Sequence, residues 1–297
     1  MVEAFEGFPA HEAGIEPGDM IKTVNGKDVY GMNPDIVRSL IVGPTGTTVS
    51  VEIDSPRLSK PTTVELTRRD IKVASVVAKE LDDKTMYIKV RAFKEPEETA
   101  AEFFDALVGA SRGDRLIIDL RNNGGGAVNT VVDMVGDFIG PDKVVMIEKK
   151  RDGRAHPYKT ENTGTTPVAY PKKVVILVNN DSASASEIMA GSLQYYGVAT
   201  IIGVRTFGKA RVQQYLDLEK SDHVMDENTR LLMGITTGRY FLPGGEDGKG
   251  DKIGKDITNV GVEPDIEVEQ PDGFRGYEYG TLRDAQLQAA IEFLKKN

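Results

Sequence analysis

The chain has 297 residues, 39% of them hydrophobic and 28% charged, an ordinary globular composition with room for one large or two unequal domains. Its net charge of −9 is spread along the sequence, which argues against a phosphate backbone as partner, so no nucleic acid is expected. The absence of cysteine removes disulfides, thiolate nucleophiles and cysteine metal sites, and leaves the redox compartment open.

No run approaches the roughly 18 to 20 apolar residues that span a bilayer, so no membrane span is expected in this chain. Val2 to Phe5 reads as the end of a strand. The chain therefore reads as starting inside a domain, which is compatible with a leader removed upstream. A short helix around Ala10 to Ala13 follows, then a strand from Met20 to Val24 that ends in the tight-turn dipeptide Asn25-Gly26. Pro34 to Ile41 has helical periodicity, and Thr48 to Ile53 and Thr62 to Leu66 alternate like strands. The stretch FPAHEAGIEPGDMIKTVNGKDVYGM resembles the central part of a bacterial-type PDZ domain. The resemblance implies capture of a peptide C-terminus as an added strand. It also implies that the carboxylate-binding loop and ligand-pairing strand precede residue 1, a truncated PDZ-like domain over residues 1–69.

Residues 70–77 read as a linker, Thr85 to Arg91 as a strand and Glu95 to Ser111 as an amphipathic helix. Arg115 to Leu120 is a continuous apolar run of the kind buried on both faces; it enters Asn122 to Gly126, and a helix is predicted from Val128 to Ile139. The logic repeats with strand Val174 to Val178, turn Asn179 to Ala183, a helix to Tyr196 stopped by Gly197, and strand Ala199 to Ile202. Asp284 to Lys296 reads as a closing helix. Alternating strand, loop and helix make this an α/β unit, placed at residues 78–297.

Three features carry chemistry. VNNDSASASEIMAGSL sets serines where a buried strand becomes a helix, where outward N–H groups favour negative charge, although Ser184 and Glu187 also form an ordinary capping box. Glycines 124 to 126 permit close backbone approach, as in an oxyanion hole or a plain turn. Thr206-Phe207-Gly208-Lys209 offers a lysine with Phe207 and Val212 as apolar cover, or a solvated charge. A lysine acts as a base only when its surroundings bring its pKa down from about 10.4. His11, His156 and His223 adjoin none of these features, and no histidine or acidic cluster suggests a metal. Asp119 and Arg121 read as positioning the glycine loop.

IIDLRNNGGG, SASASE, TFGKARVQ, TTGRYFLPGG and GVEPDIEV, in that order, strongly resemble the carboxyl-terminal processing (tail-specific) proteases, PDZ-containing Ser/Lys peptidases, over nearly the whole chain. The resemblance implies a crotonase-like (ClpP/crotonase-type) α/β serine protease core, with Ser184 as nucleophile and Lys209, 25 residues later, as general base. Gln213 would support the lysine, and the backbone N–H of Ala185 with that of Gly125 or Gly126 would form the oxyanion hole. A helical turn after Lys209 would make Gln213 its neighbour; an extended strand would set them roughly 13 Å apart. The resemblance also implies an acyl-enzyme, no cofactor, unfolded or tailed protein substrates with apolar C-termini, an oligomer as one option and an extracytoplasmic site. Departures from the family pattern are Gly124 for proline, Asp181 for a small residue and Ala210 for glycine. A non-catalytic peptide-binding scaffold of the same fold is the alternative, and acyl-CoA chemistry on the shared architecture a third reading.

Overall fold

The computed structural model describes residues 4, 7–110, 113–161, 173–217, 232–245 and 254–296. The chain divides into two compact units, Met1–Val73 with Pro271–Asp284, and Ala74–Gln270 with Ala285–Asn297.

In the first unit the helix α1 (Pro9–Glu12) precedes β1 (Met20–Val24), β2 (Lys27–Asp28), α2 (Pro34–Ile41), β3 (Thr48–Asp54) and β4 (Thr62–Thr67). The strands form an antiparallel sheet in the order β2-β1-β3-β4. Asn33 caps α2 by accepting the Asp35 N–H at 2.8 Å, and Pro34 supplies a first helical residue that needs no N–H partner. The alternation in β3 turns Val49, Val51 and Ile53 onto Ile15, Val24, Val29 and Leu66, which make this unit's own core.

The second unit begins with β5 (Val76–Asp82), β6 (Thr85–Val90), α3 (Pro96–Ala110), β7 (Arg115–Asp119), α4 (Val128–Ile139), β8 (Val144–Lys150) and β9 (Ala155–Lys159). It continues with β10 (Lys173–Val178), α5 (Ala185–Tyr195), β11 (Ala199–Gly203), β12 (Arg211–Asp217), β13 (Leu232–Phe241), β14 (Ile266–Glu267) and α6 (Ala285–Lys296). Its main sheet runs β14-β11-β10-β7-β6-β5, parallel except for the edge strand β5. Residues 116–119 and 174–178 are buried throughout, as strands covered on both faces must be. Core residues of α3, α4 and α5, such as Phe103, Val135 and Ile188, pack with Ile118 and Ile176 in one cluster. Leu287, Ala290 and Leu294 of α6 pack with Ile117, Val175 and Leu177 in another. A separate antiparallel sheet, β12-β13-β8-β9, completes the unit.

Candidate active site

Strand β10 delivers the chain to the turn of residues 179–183 and then to α5. Ser182 and Ser186 are wholly buried, and their hydroxyls donate to the carbonyls of Leu120 and Asn123 at 2.9 and 2.8 Å. Both therefore fasten the turn to the loop after β7. Ser184 between them is half-buried, lines a cavity of about 610 Å³, and has φ +55° and ψ −116°. A non-glycine residue at positive φ costs roughly 1–3 kcal/mol and needs its surroundings to hold it. The sharp strand-to-helix turn that results lifts a side chain clear of the backbone.

Glu187 supplies much of the hold. Its Oε2 accepts the N–H of Ser184 and the N–H of Lys209, each at 2.9 Å. Its Oε1 accepts the Thr206 hydroxyl at 2.6 Å and the Gly208 N–H at 2.7 Å. The backbone nitrogens of Ser184 and Lys209 are thus within twice a hydrogen-bond length of each other. Thr206 in turn accepts the Val262 N–H at 2.7 Å, which ties the TFGK loop to the GVEPDI segment. Tyr240 adds a contact from β13, its hydroxyl donating to the Ser184 carbonyl at 3.3 Å. Burial first, and then the nearby Glu187 carboxylate, push the Tyr240 phenol well above its ordinary range, so it remains a donor.

The glycine loop is fixed from below. Asn123 accepts the Gly125 N–H at 2.9 Å, and its own side-chain N–H donates to the Val90 carbonyl at 2.9 Å. Gly125 has φ +100°, and a Cβ there would stand 2.7 Å from the Ala183 carbonyl and the Ser184 Cβ. At Gly126 (φ +149°) a Cβ would overlap the Phe93 carbonyl at 1.9 Å. Only glycine allows this loop to lie against both Phe93 and Ser184. Among the described residues the N–H groups of Gly126 and Ala185 have no hydrogen-bond partner.

Beneath the loop Asp119 and Arg121, both fully buried, pair at 2.7 Å, joined by the Tyr87 hydroxyl at 2.6 Å and Lys89 at 3.2 Å. Burial alone would raise the Asp119 pKa; the Arg121 guanidinium and Lys89 ammonium outweigh it and hold the carboxyl far below its usual range. Lys89 donates to the Arg121 carbonyl at 2.7 Å, so the network braces the entry to the glycine loop.

Ser184, Lys209, Gln213, Gly125 and Gly126 all line the same cavity, and Ala185 is buried beside Ser184. Lys209 is half-buried. Phe207, expected to cover it, is 62% exposed, whereas Val212 does line the cavity. The backbone after Lys209 is extended as β12, with a register shift between Val212 and Gln213, so no helical turn brings Gln213 beside the lysine. His11 and His156 are exposed, and His223 lies outside the described residues. Residue-level reading assigned Glu187 only to a helix cap and gave no role to Asn123 or Glu148. Tyr240 lies within TTGRYFLPGG, where nothing local marks its contact with Ser184. The S-x-x-E pattern was the one local signal for Glu187.

A model of Peptidase family S41 matches residues 84–268, and one of the PDZ domain matches residues 5–54. The carboxyl-terminal-processing protease of Synechocystis sp. is 32% identical over 295 residues, 97% of this chain and 63% of that protein. The carboxy-terminal-processing protease of Bartonella bacilliformis is 28% identical over 98% of this chain and 63% of its own length. The chain thus spans about 63% of the length of these curated relatives. A solved photosystem II D1 C-terminal processing protease superposes with a TM-score of 0.53 at 27% identity, over 88% of this chain and 65% of that one. The α/β core with its PDZ unit, the motif order and these matches together establish that the chain belongs to peptidase family S41.

Proposed function

We propose that the protein is a serine endopeptidase that cleaves unfolded or tailed proteins near their C-termini through a Ser184/Lys209 dyad. The observation that carries this reading is the placement of Ser184, in a strained strand-to-helix turn, facing one cavity with Lys209 and the glycine loop while Glu187 ties the two backbones together. Ser184 Oγ attacks the scissile carbonyl as Lys209 Nζ takes its proton and passes it to the leaving amine. The oxyanion is held by the N–H groups of Ala185 and Gly126, since the Gly125 N–H is engaged by Asn123. Water, deprotonated by the same lysine, then releases the acyl-enzyme.

The names of the relatives support processing at carboxyl termini, and the apolar lining of Phe93, Val128, Ile188 and Val212 supports apolar residues next to the cleavage point. In this reading residues 1–69 form the truncated PDZ-like module, 70–77 the linker and 78–297 the catalytic part.

Fluorophosphonate labelling and digestion of a loosely folded protein such as casein test the reading. Wild type is expected to label and digest, while Ser184→Ala does neither and Lys209→Ala loses about 10⁴-fold or more in rate. If wild type neither labels nor digests, so that Ser184→Ala behaves identically, the chain is a peptide-binding scaffold instead.

A further inference from the structure

The cavity that holds Ser184 also holds a carboxylate with no catalytic assignment. Glu148 lies in β8, is only 4% exposed, and yet lines the cavity. Its Oε2 accepts the Tyr158 hydroxyl at 3.2 Å. Among the described residues no cation lies within salt-bridge distance of it, and Oε1 has no protein donor. Gly238 on the neighbouring strand keeps that oxygen uncovered, since a Cβ there would stand 3.1 Å from Oε1. The carboxylate therefore has, among the described residues, one neutral protein donor and one oxygen open to the cavity, where a charged partner can reach it.

The position of Glu148 indicates where that partner comes from. It sits directly opposite Tyr240 in the β8–β13 pairing, on the same face of the sheet, and the Tyr240 hydroxyl touches the Ser184 carbonyl. Neighbouring strands are about 4.8 Å apart, so a side chain of a peptide bound at Ser184 needs to cross only a strand spacing or two to reach the carboxylate. Ile188, Val212 and the Tyr240 ring give the same cavity an apolar wall beside Ser184 and Glu148. Apolar walls ending in a buried anion match a long aliphatic stem that ends in a cation.

We propose that Glu148 is the floor of a specificity subsite that takes a lysine or arginine side chain of the substrate close to the scissile bond. This rests on the peptidase reading above and narrows its substrate class: apolar residues fill the rest of the cleft, and one basic residue fixes the register of cleavage. Arginine can use Oε1 while Tyr158 keeps Oε2, or displace the phenol and engage both oxygens.

The test uses otherwise identical quenched fluorescent peptides carrying lysine, arginine, acetyl-lysine or norleucine at one position, scanned over four residues on each side of the cleavage point. Wild type is expected to cleave the lysine and arginine peptides at one position with kcat/KM roughly tenfold or more above the acetyl-lysine and norleucine peptides. In Glu148→Gln that ratio should fall towards one. A ratio near one throughout in wild type, or an unchanged ratio in Glu148→Gln, overturns the proposal. Should Glu148→Gln not fold, the wild-type comparison of lysine with acetyl-lysine still decides, because it alters charge on the peptide alone. Binding of the same peptides to Ser184→Ala, read by fluorescence anisotropy, separates the subsite from the catalysis. If wild type neither cleaves nor labels but Ser184→Ala binds the lysine peptide about tenfold more tightly than its acetylated form, the peptidase reading falls and the subsite stands. Equal binding removes the subsite.

Discussion

Glu187 is fully buried, and its two oxygens receive four donors: the Ser184 and Lys209 N–H groups on one, the Thr206 hydroxyl and Gly208 N–H on the other. That arrangement makes it a positioning residue for both halves of the dyad, acting through their backbones. Glu187→Gln leaves one accepting oxygen and turns an NH₂ group towards two donors. The expected result is a loss of about 2–3 kcal/mol in stability, read by urea unfolding, from donors left without acceptors in the interior. Fluorophosphonate labelling should slow by roughly 10²-fold in protein whose circular dichroism is unchanged, because small displacements of catalytic groups are expensive. An unchanged labelling rate would reduce Glu187 to the helix cap suggested by the S-x-x-E pattern. That pattern made only the local bond legible. Thr206, Gly208 and Lys209 reach the same carboxylate through the packing of a later loop, which residue spacing does not encode. Glu148 was hidden for the same reason, since it meets Tyr240 only through pairing of two distant strands.

At the scale of elements, the glycine loop and the α5 turn form a single fitted pair. Gly125→Ala places a Cβ at 2.7 Å from Ser184 Cβ and forces a left-handed backbone on a residue that resists it, whereas Gly124 has open space around it. Gly125→Ala is therefore expected to cost about 2 kcal/mol or more and to abolish labelling, while Gly124→Ala changes Tm by no more than a degree or two; equal effects at the two positions would refute the close fit. The elements that carry this pair were legible because β7 and β10 are unbroken apolar runs ending in turn residues, and α4 was predicted with its observed bounds. Strands β5, β8 and β9 were not predicted. The exposure of β5 and β9 gives no alternation, and β8 is buried at 145, 146 and 148, a pattern without a period of two. His156 lies on the edge strand β9 together with the cavity-lining Tyr158, and there it pairs with the cavity-lining Glu148 of β8.

At the scale of the whole molecule, two carboxylates withdrawn from solvent make stability depend on pH in opposite senses. Asp119 titrates far below the usual carboxylate range when folded, so its contribution is present above the unfolded value of about 3.9 and is lost as pH falls below that towards its folded pKa. Asp137 on α4 goes the other way: burial, and then the neighbouring Asp133, push it up to about 7. Between about pH 4 and 7 the folded protein binds the Asp137 proton and the unfolded chain does not, so stability falls as pH rises through this window. Asp137→Asn removes the ionisation and the repulsion with Asp133 together. Its Tm should match wild type near pH 4 to 5, exceed it increasingly up to pH 7, and stay above it by a constant amount beyond, corresponding to about 1–2 kcal/mol once partial exposure is allowed for. Thermal melts at half-unit pH steps measure this directly. A difference between variant and wild type that is flat across pH 4 to 8 would mean that Asp137 ionises normally in the fold.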